Sequence, residues 1–361
     1  MPGTASTRGA RVRRPPQVDS RDVAADVGVS QATVSRALRD DPSVVEKTRL
    51  RVQEAAQRLG YVPNDLGRSF KNQATHRIAF VADLDNPLWS LLVAQAHDEL
   101  AQHGYTMTLL AEHGDPVKIS TYLASGWADA VIISSARLDA RLPQMLAGRG
   151  VPFVLVNRTI SGTTADAVVA DNVHGGRAAA QVLMTAGHTR IGALFGPPET
   201  STGRDRESGF RDALSEGGVS LPQSRVRHGD FDYAFGRSAL TTLLRGRYRP
   251  TAVFCTNDII AMGAINAAHE LGLRIPDDLA LTGFDDLEEA SWPVYNLTTI
   301  KVPFDAMLRS AINMLLSRLA GDDSPAHVDV HAVTPVLRGT HKMGRPVAGE
   351  MPPAAVRGPR S

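Results

Sequence analysis

The chain has 361 residues, of which 43 % are hydrophobic and 21 % charged, with one cysteine, Cys255. That length predicts two or three domains with real cores. A lone cysteine excludes an internal disulfide framework and a Cys-rich zinc site, and points to a reducing, cytoplasmic setting. No apolar run approaches the roughly 18 residues of a membrane span, and no apolar stretch follows the N-terminal arginines as in a secretory signal. The net charge of +1 is unevenly spread: residues 1–77 carry 14 Lys/Arg against 8 Asp/Glu, so a basic first fifth sits on a mildly acidic remainder. Such asymmetry suits an N-terminal module facing a polyanion, and fits a basic tail with no partner equally well.

Residues 1–17 are rich in Pro, Gly and Arg without apolar period and read as a disordered basic extension. Residues 18–62 read as three short helices. Asp19 can cap the first, with Val23, Ala24 and Val27 on one face, and Gly28-Val29 ends it. Ser30 can cap a second, from Gln31 to about Leu38, with Val34, Ala37 and Leu38 inward. After a polar RDDPS linker, a third carries the stripe Val52, Ala55, Ala56 and Leu59, with Gly60 as its stop.

From Arg77 the texture changes. The runs RIAFVAD, YTMTLLA, DAVIIS, PFVLVN, VVAD, RIGALFG, TAVFCT and LALTGF read as strands. SLLVAQAHDELAQHG and HGGRAAAQVLMTAGH have helical period. This alternation predicts parallel sheets covered on both faces. About 260 residues is large for one such sheet, so two lobes with a cleft are expected. The tail 341–361 again reads as disordered.

Residues 22–38, DVAADVGVSQATVSRAL, have helix-turn-helix spacing. In that arrangement the second helix enters the major groove. Arg36 suits a guanine, Gln31 an adenine and Ala32 a thymine methyl. Ser30, Thr33 and Ser35 suit phosphates.

This stretch resembles the helix-turn-helix of the lactose-repressor (LacI/GalR-type) family. Asp22, Val23, Ala24, Gly28, Val29, Ser30, Thr33, Val34, Ser35, Arg36 and Leu38 carry the likeness, followed by EKTRLRVQEAAQRLGYVPN and by segments through the body to about residue 340. The resemblance implies a small all-α helix-turn-helix head (18–62), a hinge (63–75) and an α/β two-lobed, periplasmic-binding-protein-like body with parallel sheets (76–340). That body would bind an effector and dimerise. It also implies that Asn64 and Phe70 contact DNA, Phe70 as an apolar wedge in the minor groove. Phe70 can instead pack against the body. Phe70 stands where the family has a leucine, and three further positions depart from the family pattern. Ser20 replaces an apolar residue, which should loosen the first helix. Val45 replaces a Ser-type cap. Gly67 replaces a helix-favouring Ala in the hinge.

In the body, VADLDNPLW, VPFVLVNR, GRDRESGF, GDFDYAFG, TNDIIAMGA, LTGFDD and LTTIKVPF carry the likeness. Mapped residue by residue, family ligand positions fall on Asp83, Pro87, Trp89 and Asn157 in the first lobe. In the second they fall on Arg206, Phe231, Asn257, Asp285 and Phe304. Arg, Asn and Asp groups with aromatic faces suit vicinal hydroxyls and the apolar side of a sugar ring. Each residue also has a structural reading: Asn257-Asp258 can merely cap a helix, and Trp89 can be core.

The expectation is a cytoplasmic, homodimeric, sequence-specific transcriptional regulator, most simply a repressor. It would bind pseudo-palindromic double-stranded DNA under control of a small molecule, favoured as a sugar or sugar derivative. The resemblance also admits a corepressor-dependent regulator with a purine-like effector. A sugar-binding transport receptor would rest on the body alone. An enzyme finds no support: no phosphate-binding glycine motif, nucleophile elbow or metal-binding His pair is present. No cofactor, metal or membrane partner is expected, and Cys255, inside AVFC, reads as a core thiol.

Overall fold

The computed structural model describes residues 18–38, 40–61, 74–84, 87–111, 116–162, 164–246 and 249–341. The chain divides into two compact units, residues 1–75 and 76–361. The hinge positions Asn64, Gly67 and Phe70 lie outside the described residues.

The first unit is three helices, α1 (Ser20–Val27), α2 (Gln31–Ala37) and α3 (Glu46–Leu59). Its small core is the predicted stripe: Val23, Val27, Val34, Val52, Ala55 and Ala56, joined by Val44. Asp19 forms a capping box with Asp22, its carboxylate accepting from the Arg21 and Asp22 amides at 2.6 and 3.2 Å. Gly28 ends α1 at φ +73°, a left-handed conformation that costs residues with a Cβ. Arg51 of α3 donates to the Val27 carbonyl at 2.8 Å and satisfies an orphan acceptor at that end.

The second unit carries two parallel sheets. The first lobe contains β1 (Arg77–Ala82), β2 (Thr106–Ala111), β3 (Ala130–Ile133), β4 (Phe153–Val156), β5 (Asp166–Ala170) and β11 (Val328–His331), in the order β11-β5-β4-β3-β1-β2. The second contains β6 (Ile191–Phe195), β7 (Val226–His228), β8 (Ala252–Cys255) and β9 (Ala280–Thr282), in the order β7-β6-β8-β9. A third, antiparallel pair joins β10 (Thr299–Lys301) to β12 (Thr334–Val336).

Strand residues alternate between two cores, as a sheet buried on both faces requires. Ile78, Phe80, Ile132, Val154 and Val156 point to one side; Ala79, Val81, Val131, Ile133 and Leu155 point to the other. The lobes are continued by helices α4 (Pro87–Gln102), α5 (Pro116–Tyr122), α6 (Arg141–Ala147), α7 (Asn172–Thr185), α8 (Ser201–Glu216), α9 (Tyr233–Leu244), α10 (Asp258–Glu270) and α11 (Phe304–Leu319). Helix α11 follows second-lobe strands yet packs on β4 and β5 of the first lobe, and β11 then pairs with β5. The chain therefore passes between the lobes three times.

Helices α7 and α8 cross at glycines. A Cβ at Gly176 would lie 2.2 Å from the Arg206 carbonyl oxygen, and one at Gly209 would lie 2.0 Å from that of Val173. This close crossing sets the Arg206 side chain against Asn172 of α7. Among the described residues no helix is long and apolar enough to cross a membrane.

Candidate DNA-reading head and effector cleft

In the head, Ser30 caps α2. Its Oγ accepts from the Thr33 amide at 3.1 Å and pairs with the Thr33 hydroxyl at 2.9 Å. These two groups, expected to meet phosphates, are thus also engaged in holding the helix start. Gln31, Ala32, Ser35 and Arg36 are exposed on α2, while Val34 and Ala37 are buried beneath them. The helix presents these four side chains outward because its apolar stripe is used inward.

Ser20 sits in the first turn of α1 behind the capping box, and its Oγ accepts from Gln31 Nε2 at 2.6 Å. Val45 meets its expectation. It precedes α3 without a side-chain capping bond and is 73 % exposed.

In the body, a cavity of about 570 Å³ opens between the lobes. Asp83, Ser135, Arg137, Asp139, Arg141 and Arg158 line it from the first lobe, and Thr200, Asp230, Phe231 and Asp232 from the second. Of the candidate effector residues, Asp83 and Phe231 meet here. The Phe231 ring lies against Gly196 on one side, where a Cβ would come within 2.3 Å of it, and faces the Arg158 guanidinium at 5.5 Å. Arg158 is buried and donates to the Ser135 carbonyl at 2.7 Å. The Ser135 hydroxyl is buried without a hydrogen-bond partner among the described residues. At the rim the lobes touch: Arg137 donates to Glu199 at 2.7 Å, and the Leu138 amide to the Glu199 carbonyl at 2.9 Å.

Arg158 was not among the sequence candidates; its neighbour Asn157 was. Asn157 sits at φ +71° at the end of β4, buried, with Oδ1 unpartnered among the described residues. That left-handed turn leads the chain into Arg158. The VLVNR run held the signal only in the cation beside the strand end.

Arg206 and Asp285 form a sealed network instead of lining the cavity. Arg206 donates through Nη2 to Asp285 Oδ1 at 2.9 Å, through Nε to Asn172 at 2.8 Å and through Nη1 to the Thr256 carbonyl at 2.7 Å. Its guanidinium stacks 3.8 Å from the Phe284 ring centroid. Asp285 adopts φ +112° to reach it, a conformation that the surrounding contacts must hold. Beneath lies Asp258, which accepts from the Thr299 hydroxyl at 2.5 Å and the Leu287 amide at 2.9 Å. Burial pushes the Asp258 carboxyl well above its ordinary range, and the charge of Asp285 pushes it further. Burial raises the Asp285 carboxyl too, but the charge of Arg206 and its hydrogen bond oppose that rise, so of the two Asp258 is the more strongly shifted.

The remaining candidates have structural duties. Asn257 caps α10, accepting from the Ile260 amide at 2.8 Å. Trp89 is core, with its indole N–H unpartnered among the described residues. Phe304 opens α11 inside the same core. Pro87 begins α4. Cys255 is buried and its thiol pushed upward by burial, as a core residue would be.

Comparison with known proteins agrees with both parts. Residues 21–64 match the bacterial regulatory proteins of the lacI family, and residues 180–341 match the periplasmic binding protein-like domain. The HTH-type transcriptional repressor PurR of Proteus mirabilis (strain HI4320) is 33 % identical over 318 residues, covering 86 % of this chain and 93 % of its own. PurR of Pectobacterium carotovorum subsp. carotovorum (strain PC1) is 35 % identical with the same coverage. Among solved structures, a complex of the transcriptional regulator CelR with cellobiose is 30 % identical with a TM-score of 0.70, covering 91 % of this chain and 100 % of its own. The lac repressor dimer bound to operator and the anti-inducer ONPF has a TM-score of 0.81 at 26 % identity and the same coverage. The chain belongs to the LacI family of bacterial DNA-binding transcriptional regulators.

Proposed function

We propose that the protein is a repressor that binds a pseudo-palindromic operator as a homodimer in the cytoplasm, with its DNA affinity set by a small molecule held between the lobes of the body. The observation that carries the DNA half is the exposed α2 face, with Gln31, Ala32, Ser35 and Arg36 presented outward from a capped helix. Arg36 supplies a bidentate guanine contact, while Ser30, Thr33 and Ser35 position the helix on phosphates. Asn64 and Phe70 of the hinge add minor-groove contacts.

The effector half rests on the interlobe cavity. Asp83, Asp230 and Asp232 supply acceptors, Arg158 supplies donors, and Phe231 supplies an aromatic surface. Acceptors and donors around an aromatic group suit a polyhydroxylated ligand, so a sugar or sugar derivative is the favoured effector. Arg206, Asp285, Asn257, Asn157, Trp89 and Phe304 are not among the residues that line this cavity, and they contact an effector only if the lobes rearrange around it. The CelR relative binds cellobiose, which supports a carbohydrate. A purine-like corepressor is the second reading, favoured by the identity of 33 % and 35 % with PurR repressors.

Selection of bound duplexes from a random pool at fixed salt, with wild type and Arg36→Ala in parallel, tests the DNA half. Wild type should enrich a two-fold symmetric site, and Arg36→Ala should lose preference at one symmetric pair of positions. Enrichment of identical sites by both proteins would remove Arg36 from base reading. Retention of the selected duplex is then followed while sugars and purine bases are added. Release by a sugar supports the favoured effector, whereas tighter retention with a purine base supports the second reading.

A further inference from the structure

We infer that Ser20 is a positioning residue for base recognition: by holding one amide hydrogen of Gln31, it restricts that side chain to reading adenine and makes it reject guanine. The inference rests on the reading that α2 faces DNA.

The hydrogen bond from Gln31 Nε2 to Ser20 Oγ, 2.6 Å long, spans eleven residues of sequence. Both ends are anchored. Ser20 is the first residue of α1, fixed by the Asp19–Asp22 capping box; Gln31 is the first residue of α2, fixed by the Ser30 cap. The two helices are locked by the shared core of Val23, Val27 and Val34.

An unrestrained glutamine amide has two N–H donors and one carbonyl acceptor. It can meet adenine with one donor to N7 and its acceptor to the N6 amine. Guanine presents two acceptors, O6 and N7, which a rotating amide can approach with its NH2 group. With one hydrogen committed to Ser20, the amide retains a single N–H beside its carbonyl. That pair is complementary to adenine. Against guanine it leaves the carbonyl facing an acceptor, a repulsive arrangement that discriminates as strongly as the attractive one. The tether also restricts the three side-chain torsions before DNA arrives, so less rotamer freedom is lost on binding.

The test measures relative affinities of the full chain for selected duplexes carrying A or G at the symmetric positions read by Gln31. Wild type, Ser20→Ala, Ser20→Thr and Gln31→Ala are compared, with thermal unfolding as a check on folding. Gln31→Ala should lose about tenfold discrimination. Ser20→Ala should lower the A-over-G ratio by about threefold or more, leaving the Arg36 positions and the salt dependence of non-specific binding unchanged. Ser20→Thr, which retains the hydroxyl, should restore the ratio. An unchanged ratio in Ser20→Ala, while Gln31→Ala loses it, overturns the tether and leaves Gln31 a reader. A uniform loss of affinity for all duplexes in Ser20→Ala assigns Ser20 a structural role and also overturns it. If Gln31→Ala itself changes no base preference, or wild type does not prefer adenine there, Gln31 is not the adenine reader and the inference falls with that reading.

Discussion

The head and the body use their polar residues in opposite ways. On α2, Gln31, Ser35 and Arg36 stand outside a minimal core, and their chemistry faces outward. In the body, Arg206, Asp285 and Asn257 are buried and satisfied by one another, by Asn172 and by backbone groups. The head is built to present polar groups, and the body spends many of its polar groups on holding two lobes and their loops in register. Deletions should therefore separate the two regions: specificity is lost from the head without unfolding, while the body loses stability first.

The largest effect expected is from Arg206→Ala. It leaves Asp285 without its cation in a sealed site and removes three hydrogen bonds. A cost of about 3–5 kcal/mol follows, read from the urea midpoint of the body. A shift under about 1 kcal/mol would mean that water reaches the network and that it belongs to the open cleft.

The next effect is one of pH. In the folded protein Asp258 keeps its proton above the range in which the unfolded chain releases it. Both states hold the proton in strong acid, so there the group contributes no slope. Above about pH 4 the unfolded chain ionises first, and stability falls as pH rises, by about 1.4 kcal/mol per unit until Asp258 itself titrates. Asp258→Asn can keep the Thr299 and Leu287 contacts without a titrating group. The difference in urea midpoint between wild type and Asp258→Asn should then move in favour of the variant from pH 5 to pH 8. A constant difference would show that Asp258 is ionised in the folded state.

Two smaller changes probe the head. Gly28→Ala meets no atom within 4 Å, so its cost is purely the left-handed backbone at φ +73°, about 1–2 kcal/mol. Faster amide exchange throughout α1 and α2 would report it. Val45→Ser supplies the absent cap of α3 and should stabilise by about 1 kcal/mol, seen as slower exchange of the first α3 amides. No protection gained at those amides would mean that the helix start is satisfied by another group.

The ease of reading these regions from sequence differed for physical reasons. The head follows from local rules: Asp19 and Ser30 cap, Gly28 and Gly60 stop, and the valine and alanine stripe packs. Eight strands of the body announce themselves as apolar runs bounded by polar residues. Strands β7, β10, β11 and β12 do not, because each is three or four residues long and carries polar side chains, as VRH, TIK, VDVH and TPV show.

The cleft was legible only in part. Asp83 and Phe231 line the cavity as the sequence leads one to expect, but at the end of β4 it is Arg158, not Asn157, that does so. An asparagine that caps a helix and one that binds a ligand look alike in sequence, so the duty of Asn257 shows only in its bond to the Ile260 amide. The pairing of Arg206 with Asp285 joins residues 79 positions apart, and no local pattern encodes it.

Control of the head's DNA affinity from the body's cavity, as proposed, makes the two binding events interdependent. The most direct test is to titrate the selected duplex in the presence and absence of a small molecule shown to bind the body, and to titrate that molecule in the presence and absence of DNA. Each ligand should change the affinity of the other by the same factor, at least about fivefold. A molecule that fills the cavity, competes with none of the DNA contacts and leaves the duplex affinity unchanged would contradict it.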